Sequence, residues 1–560
     1  MPHVVTQACC GDASCVFACP VNCIHPSPDE PDFLTAEMLY IDPNSCVDCG
    51  ACVSACPVGA IVPGTAVPAD QLPFVDINAM FFAGDRTYPI QAPVPATVKL
   101  EEDRRTLRVA IVGSGPAALY AADELLKQDR VEVNVFDRLP TPHGLVRAGV
   151  APDHQKTKTV EGLFRQIEDQ AGFGYFLNVD VGTDLSHSEL LAHHHAVLYA
   201  TGASVDRSLG IPGEDLAGSE TATDFVAWYN GHPDFADRQF DFSQKRAVIV
   251  GNGNVALDVA RILTSDPDAL AATDIPDYAL DALRGSQIEE VILLARRGVA
   301  QAAFTLPELI GLLGHDDVEF VVDQNELVLD PATAALRAGK GLDPGLERKI
   351  VAMEDLAWEG SRPGRRKRIT FRFLASPAEF TGTGVRVVRN ELKADGDGVV
   401  RAVPTASSET IETGLLLRSV GYRGVAIKDV PFDEANGVIP NTVGRVAGAE
   451  ATYVAGWIKR GPSGYIGTNK TCAHETVTNL LIDFNDGLLA TPAHSRTSLA
   501  AIIAKRRPEA IDLQGWRTLD AIERRRGVEA GKVRQKFTDT ADMVRAAKPV
   551  RRRFARPSSS

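Results

Sequence analysis

Nine of the ten cysteines lie in one short segment, between Cys9 and Cys56, and only Cys472 stands apart. The chain has 560 residues, and its start lacks a basic segment followed by an apolar run, so we expect no secretory signal. Disulfides are rare in proteins that are not secreted. The cysteine cluster therefore predicts metal binding rather than disulfide bonding.

The second half of this segment has the spacing of a bacterial ferredoxin: Cys46-x-x-Cys49-x-x-Cys52-x-x-x-Cys56, followed by Pro57. In such a run the first three thiolates bind one iron–sulfur cluster and the fourth binds the other. Thiolates are soft ligands that suit iron and sulfide. A zinc site is the alternative, but the number of cysteines and the Cys-Pro ending favour iron–sulfur clusters.

The first half repeats this pattern imperfectly. Cys15-x-x-x-Cys19-Pro20 matches the ending, but Asp12 stands three residues before Cys15 where the second half has a cysteine. The missing thiol must come from Cys9 or Cys10. With its continuation through Phe82, this segment resembles the seven-iron bacterial ferredoxins over about residues 1–85. A small α+β domain is implied.

The resemblance also implies two cluster sites. A [4Fe–4S] cluster would be held by Cys19, Cys46, Cys49 and Cys52. A second cluster, [3Fe–4S], would be held by Cys15, Cys56 and either Cys9 or Cys10, with Cys23 as a free neighbour. The loop before Cys15 is shorter than in that family, so a second [4Fe–4S] cluster with an unusual fourth ligand stays open. The aspartate at position 12 favours the three-iron form.

The same segment is strongly acidic. Residues 1–85 hold ten acidic residues and no Lys or Arg, within a chain of formal charge −15. Phosphate backbones require cations, so this end is not expected to bind nucleic acid. A basic docking surface on a partner is the better complement, and a solvated acidic face is the alternative.

A strand, glycine turn and helix begin at Arg108. Gly113 permits the tight turn, Gly115 leaves room for a pyrophosphate, and Ala118 lets the helix pack on its strand. The next strand ends at Asp137, where a carboxylate can bind a ribose hydroxyl. In this order the motif predicts a dinucleotide-binding Rossmann unit.

A second copy begins at Arg246, with Gly251 and Gly253 in its turn. Its partner strand is followed by Arg296 and Arg297 rather than by an acid. Paired guanidiniums can bind the 2′-phosphate of NADP(H), whereas an Asp or Glu favours NAD. The alternative is that the two arginines only end a strand. Strands that alternate with helices predict an α/β protein with parallel sheets.

Two long segments, Leu139–His154 and Gly456–Thr468, are similar to the adrenodoxin reductase family of NADPH–ferredoxin reductases. The resemblance covers about residues 107–545. It implies a first Rossmann unit that binds FAD and an inserted second unit that binds NADPH. The implied domains are a ferredoxin at 1–85, a linker at 86–106, an FAD domain at 107–204 and 421–545 with a helical C-terminal region, an NADP domain at 205–420, and a basic tail at 546–560.

Matched position by position, the resemblance implies a catalytic group of His154, Trp457 and Glu308. The implied FAD contacts are Gly113, Gly115, Ala117, Ala118, Asp137, Leu145, Val181, Trp457, Gly464, Tyr465 and Ile466. The implied NADP(H) contacts are Gly251, Asn252, Gly253, Asn254, Val255, Arg296, Arg297, Glu308 and Gly464. The family often has a second glutamate three residues after Glu308, but this chain has Gly311 there, which leaves a proton role for that carboxylate in doubt.

Two further features of the sequence bear on alternative functions. His193, His194 and His195 suggest a metal site, but their place between a helix and a strand favours a solvated helix end. No Cys-x-x-Cys follows residue 56, which argues against the flavin disulfide reductases, since these need a dithiol beside the flavin.

The resemblance implies a ferredoxin–NADP⁺ reductase that moves electrons between NADPH and one-electron acceptors through FAD and the fused clusters. A soluble ferredoxin or a haem enzyme is the expected acceptor, and the cytoplasm the expected location. No apolar run is long enough for a membrane span. Two alternatives are an electron-feeding subunit similar to the small subunit of glutamate synthase, and a docking module without clusters.

Overall fold

The computed structural model describes residues 2–83, 88–89, 91–92, 97–101, 105–360, 367–395 and 398–548. The predicted basic tail at 546–560 lies almost wholly outside these residues, and so does part of the predicted linker at 86–106. Among the described helices, none combines the length and the apolar character that crossing a bilayer requires.

Residues 2–83, here called the N-terminal module, contain the predicted internal repeat. Ala13 and Gly50 both adopt left-handed backbone, with φ of 59° and 74°. Each precedes a five-residue helix that ends just before a Cys-Pro pair. The helices are Ser14–Ala18, Ala51–Ala55 and Pro73–Phe81, with short 3₁₀ turns at Pro31–Leu34, Gly64–Ala66 and Ala69–Gln71; the strands are His3–Val5, Ile24–His25, Tyr40–Ile41 and Ile61–Pro63.

A seven-stranded sheet forms the first large unit, here called the seven-stranded unit. Its central strand, Leu107–Val112, pairs in parallel with Val131–Asp137 on one side and Ala196–Tyr199 on the other. In spatial order the strands are Asn441–Thr442, Arg445–Val446, Thr452–Val454, Ala196–Tyr199, Leu107–Val112, Val131–Asp137 and Phe173–Leu177. Residues from two distant parts of the chain therefore build one sheet.

A six-stranded parallel sheet forms the second large unit, here called the six-stranded unit. In spatial order its strands are Ser219–Thr221, Leu415–Arg418, Arg246–Val250, Glu290–Leu294, Lys367–Arg372 and Val318–Val322. An antiparallel sheet of Ala375–Phe380, Gly384–Ala394 and Val400–Glu412 is attached to it. The chain enters and leaves this unit along the paired strands Val205–Asp206 and Tyr422–Arg423.

Helices cover both sheets, as a parallel sheet requires. On the seven-stranded unit they are Pro116–Leu126, Leu145–Ala148, Gln155–Lys158, Glu161–Glu168, His187–His193, Trp457–Arg460, Thr468–Asn485, Arg496–Arg506, Leu513–Glu529 and Thr540–Ala547. On the six-stranded unit they are Ala222–Tyr229, Asn254–Thr264, Pro267–Leu270, Asp277–Arg284, Leu306–Leu313, Pro331–Ala338 and Pro344–Glu359, with 3₁₀ turns at Val299–Gln301 and Gln324–Glu326.

The prediction that His193, His194 and His195 form a solvated helix end is wrong, because all three residues are at most 5% exposed. His194 binds the carbonyl of Leu190 and the amide of Asn134, and His195 accepts the Arg108 amide at 3.0 Å. The rings have different partners and share no common point. Most of their ring nitrogens have a hydrogen-bond partner inside the core, which offsets the cost of burial, although His193 Nε2 has none among the described residues.

Candidate functional site

In the first glycine loop, the backbone passes very close to other backbone segments. A Cβ atom at Gly113 would lie 2.4 Å from the carbonyl oxygen of Ala200, and one at Gly144 would lie 3.0 Å from the Cα of Gly115. Asp137 accepts hydrogen bonds from the Ser114 amide at 2.9 Å and from the Leu139 amide at 2.9 Å. The loop thus leaves a bare backbone surface next to an oriented carboxylate, as FAD binding needs.

The returning chain packs directly on this loop. A Cβ at Gly456 would lie 2.6 Å from the Cβ of Ala117, and the next residue, Trp457, stacks on Tyr422 with ring centroids 6.1 Å apart. Trp457 also donates to the Ser463 carbonyl at 3.1 Å. The other predicted FAD residues are found as follows: Ala118 is buried at the start of its helix, Leu145 is 47% exposed, Val181 and Ile466 are half-buried, the Tyr465 carbonyl accepts from Asn469, and Gly464 lies against Thr468.

The second glycine loop has the same construction. A Cβ at Gly251 would lie 2.0 Å from the Ser419 carbonyl oxygen, and Gly253 precedes the helix Asn254–Thr264, in which Val255 packs against the core of the six-stranded unit. Asn252 and Asn254 accept the backbone amides of Ala303 and Thr305, at 3.4 and 2.9 Å. These bonds hold the turn that leads into the helix carrying Glu308.

Arg296 and Arg297 follow the strand Glu290–Leu294 as predicted. Their backbone carbonyls are fixed, since Arg296 accepts from the Asn390 side chain at 2.8 Å and Arg297 accepts from the Leu374 amide at 3.2 Å. Arg296 is exposed and Arg297 half-buried, and within the described part of the chain neither guanidinium pairs with a carboxylate. Both guanidinium groups are therefore available to bind an anionic ligand.

His154 lies where the two large units meet, in a group here called the junction cluster: Asp153, His154, Asp258, Arg261 and Glu308. The His154 Nε2 atom is 2.6 Å from Arg261 Nη2, 3.2 Å from Asp258 Oδ1 and 3.8 Å from Glu308 Oε2. Arg261 also binds both oxygens of Asp153, at 2.5 and 3.1 Å. The cluster therefore ties the seven-stranded unit to the six-stranded unit.

Burial and charge set the proton affinities of this cluster. Burial raises the pKa of Glu308, and the nearby charge of Asp258 raises it further. Burial and Arg261 lower the pKa of His154, but the hydrogen bond and charge of Asp258 and the charge of Glu308 outweigh them and raise it overall. Burial would raise the pKa of Asp153, yet Arg261 lowers it to about 2.

His154, Asp258 and Glu308 also offer three ligand-type atoms within 4.8 Å of one another. A divalent cation is nevertheless a poor occupant. The Arg261 guanidinium already contacts His154 and Asp258, each at 2.6 Å, and supplies positive charge at that point. The group is better suited to holding a proton.

The N-terminal module contains a cavity lined by the four cysteines predicted to hold one cluster. Cys19, Cys46, Cys49 and Cys52 line it together with apolar side chains and His3. Cys23 is a fifth lining cysteine, with its sulfur 3.4 Å from that of Cys19. The four predicted ligand sulfurs around one cavity fit a [4Fe–4S] cluster.

The remaining cluster cysteines lie where two cores meet. Cys15 belongs to the core of the N-terminal module, and Cys9 and Cys56 pack against both this core and the core of the seven-stranded unit. Cys10 is instead a buried member of the core of the seven-stranded unit, together with Tyr120. Cys9 therefore shares a core with Cys15, and Cys10 does not.

Asp12 occupies the position where the repeat lacks a cysteine. Its carboxylate accepts from the Ser14 amide at 3.0 Å and the Ser14 hydroxyl at 2.7 Å, and lies 3.3 Å from the Lys470 ammonium. Both oxygens are engaged, so this residue is poorly placed to bind a fourth iron atom.

Several of these residues were missed by sequence reasoning. Asp258 and Arg261 are three residues apart, on one face of the helix that follows the second glycine loop, and that spacing was an available signal. Lys470 and Gln7 contact residues that lie hundreds of positions away in sequence, so no local sequence pattern could have identified them.

Comparison with known proteins gives two family matches. Residues 107–297 match the pyridine nucleotide-disulphide oxidoreductase family, and residues 39–62 match the 4Fe-4S binding domain. The first match spans no cysteine, so it concerns the nucleotide-binding fold and not a redox dithiol.

Similar proteins match over much longer stretches. The probable ferredoxin/ferredoxin–NADP reductase of Mycobacterium tuberculosis is 52% identical and covers 99% of this chain and 97% of its own. The mitochondrial NADPH:adrenodoxin oxidoreductase of Arabidopsis thaliana is 39% identical over 79% of this chain and 96% of its own. The solved structure of Mycobacterium tuberculosis FprA in complex with NADPH is 44% identical, with a TM-score of 0.74, and covers 79% of this chain and 100% of its own.

Proposed function

Because the chain belongs to the NADPH–ferredoxin reductase family, with a ferredoxin module at its N-terminus, we propose that it is a ferredoxin–NADP⁺ reductase that supplies its own first electron acceptor. One contact supports this proposal more strongly than the other observations do. The Cys10 carbonyl accepts the Gly467 amide at 2.8 Å, so the cysteine segment lies directly against the loop that contains Tyr465 and Ile466.

The first glycine loop is proposed to hold FAD. Gly113 and Gly115 give the pyrophosphate access to backbone amides, and Asp137 has one oxygen with spare acceptor capacity for a ribose hydroxyl. Trp457, stacked on Tyr422, would cover the flavin ring, with Gly464, Tyr465 and Ile466 beside it. When bound, FAD accepts a hydride from NADPH as an electron pair and releases electrons singly to iron–sulfur clusters.

The six-stranded unit is proposed to hold NADP(H). The free guanidiniums of Arg296 and Arg297 would bind the 2′-phosphate, and the backbone around Gly253 would face the pyrophosphate. Asn252 and Asn254 hold the turn before Glu308 in place, so ligand binding and the position of that carboxylate are linked.

His154 and Glu308 are proposed to hold a proton at the junction of the two units. Burial keeps Glu308 protonated to higher pH than an exposed glutamate, and the neighbouring acids favour a proton on His154. Arg261 orients His154 and neutralises Asp258. Since position 311 is glycine, these two residues would provide this function without a second glutamate.

Two clusters are proposed for the N-terminal module. Cys19, Cys46, Cys49 and Cys52 would hold [4Fe–4S]. Cys9, Cys15 and Cys56 would hold [3Fe–4S], because Cys10 is absent from the core that Cys15 shares with Cys9 and Cys56, and because Asp12 is bound to Ser14 and Lys470.

The external acceptor is proposed to be a soluble ferredoxin or a haem enzyme in the cytoplasm. The direct test uses the purified full chain alone, with NADPH and cytochrome c. Steady reduction of the cytochrome is expected without added ferredoxin. Activity that requires a second protein subunit would instead favour the electron-feeding subunit.

A further inference from the structure

We propose that the N-terminal module is a fixed clamp that joins the seven-stranded and six-stranded units, rather than a carrier that swings on a tether. Gly467 leaves room for the backbone of residues 11 and 12, and Gly311 leaves room for the Gln7 side chain. This inference needs the module to be folded but does not depend on the acceptor proposed above.

The N-terminal module contacts the seven-stranded unit mainly through backbone atoms. Besides the bond between the Gly467 amide and the Cys10 carbonyl, a Cβ at Gly467 would lie 2.2 Å from the Asp12 nitrogen. Any side chain there would push the module away. Lys470, one turn along, reaches Asp12 at 3.3 Å and the Ser14 hydroxyl at 3.0 Å.

The contact with the six-stranded unit uses one face of the helix Leu306–Leu313. Glu37 accepts the Leu306 amide at 2.7 Å, and Leu306 itself is buried in the core of the N-terminal module. A Cβ at Gly311 would lie 2.0 Å from the side-chain nitrogen of Gln7. That nitrogen is 3.4 Å from Glu308, so the module touches the junction cluster itself.

Charge complementarity supports a permanent contact. The module is acidic and lacks Lys and Arg, and two of its acids point inward at lysines of the body: Asp12 at Lys470 and Glu37 at Lys349. Asp12 is 3% exposed and Lys349 9% exposed at the side chain. Their partners Lys470 and Glu37 are 27% and 28% exposed, so separating either pair would leave one buried charge unpaired unless the module moves away and that charge is hydrated again.

Two units that meet along paired strands can rotate about them. A third body bonded to both restricts that rotation, because both contacts must hold at once. The clamp would therefore keep His154 of one unit near Asp258 and Glu308 of the other.

The test is hydrogen–deuterium exchange of the full-length protein with Gly311→Glu. The larger side chain must displace Gln7, so amides in a peptide covering residues 462–472 should exchange at least about tenfold faster than in the native protein, a change of roughly 1.4 kcal/mol in opening. Gly314→Glu adds the same charge at an exposed position of the same segment and should change nothing.

The double variant Gln7→Gly with Gly311→Glu removes the clash and should restore slow exchange. Flavin absorbance checks that each variant remains folded, and Lys349→Met with Lys470→Met loosens the same contacts without adding bulk. Fast exchange of residues 462–472 in the native protein would overturn the proposal. So would identical exchange in Gly311→Glu, in the lysine double variant and in the native protein.

Discussion

Coenzyme selection can be tested by replacing Arg296 and Arg297 together with glutamine. Their backbone carbonyls are anchored by Asn390 and Leu374, so the change should remove the guanidiniums without moving the loop. A hydrogen bond to a charged group contributes about 1.5–3 kcal/mol, and the solvent exposure of Arg296 favours the lower end. Two contacts then give about 3 kcal/mol, which corresponds to roughly a 100-fold change in affinity.

The assay measures the apparent KM for NADPH and for NADH in ferricyanide reduction. The KM for NADPH should rise by roughly 100-fold, whereas that for NADH, which lacks the 2′-phosphate, should change little. The control is Arg386→Gln with Arg389→Gln, which removes the same net charge from the attached antiparallel sheet. An equal loss of affinity for both coenzymes would refute the 2′-phosphate assignment.

Three further predictions concern the clusters and the junction. Cys9→Ser should abolish the paramagnetic resonance signal of the oxidised [3Fe–4S] cluster while Cys10→Ser keeps it, and the opposite result would reassign the ligand. Asp12→Cys should convert that cluster to a four-iron form, raising the iron content by about one atom per chain; unchanged iron would show that the loop cannot accept a fourth iron atom. Asp153 has its pKa lowered from 3.8 to about 2, so its pairing with Arg261 should stabilise the fold by about 2 kcal/mol above pH 4 and lose this contribution as the pH falls through 2. Urea unfolding of Asp153→Asn should show that difference from the native protein at pH 6 and a smaller one at pH 3, and a difference independent of pH would contradict the assignment.

The parts of the fold that could be predicted are those with a local cause. At Gly113 and at Gly251 a Cβ would collide with a backbone carbonyl just after a neighbouring strand. The glycine motif in the sequence reveals this requirement. The repeat of two short helices before Cys19 and Cys56 follows from the cysteine spacing in the same way.

The parts that could not be predicted depend on residues far apart in sequence. The sequence leaves Cys9 and Cys10 equivalent, and they differ in the structure because only Cys9 also packs against the core that contains Cys15. The sequence does not explain why position 311 departs from the family pattern. The structure does, because the Gln7 side chain occupies the space that a side chain at position 311 would need. Polarity alone predicts that the three adjacent histidines are solvated, yet each lies in the core with one ring nitrogen bonded to a backbone carbonyl or amide.

The most direct measurement is an anaerobic addition of NADPH to the purified full chain, followed by absorbance and paramagnetic resonance. The protein should contain one FAD and about seven iron atoms per chain, and its oxidised form should give the signal of a [3Fe–4S] cluster. NADPH should bleach the flavin absorbance and remove that signal without any added protein. A chain without iron, or one whose cluster signal persists while the flavin is bleached, would contradict transfer of electrons from NADPH to its own clusters.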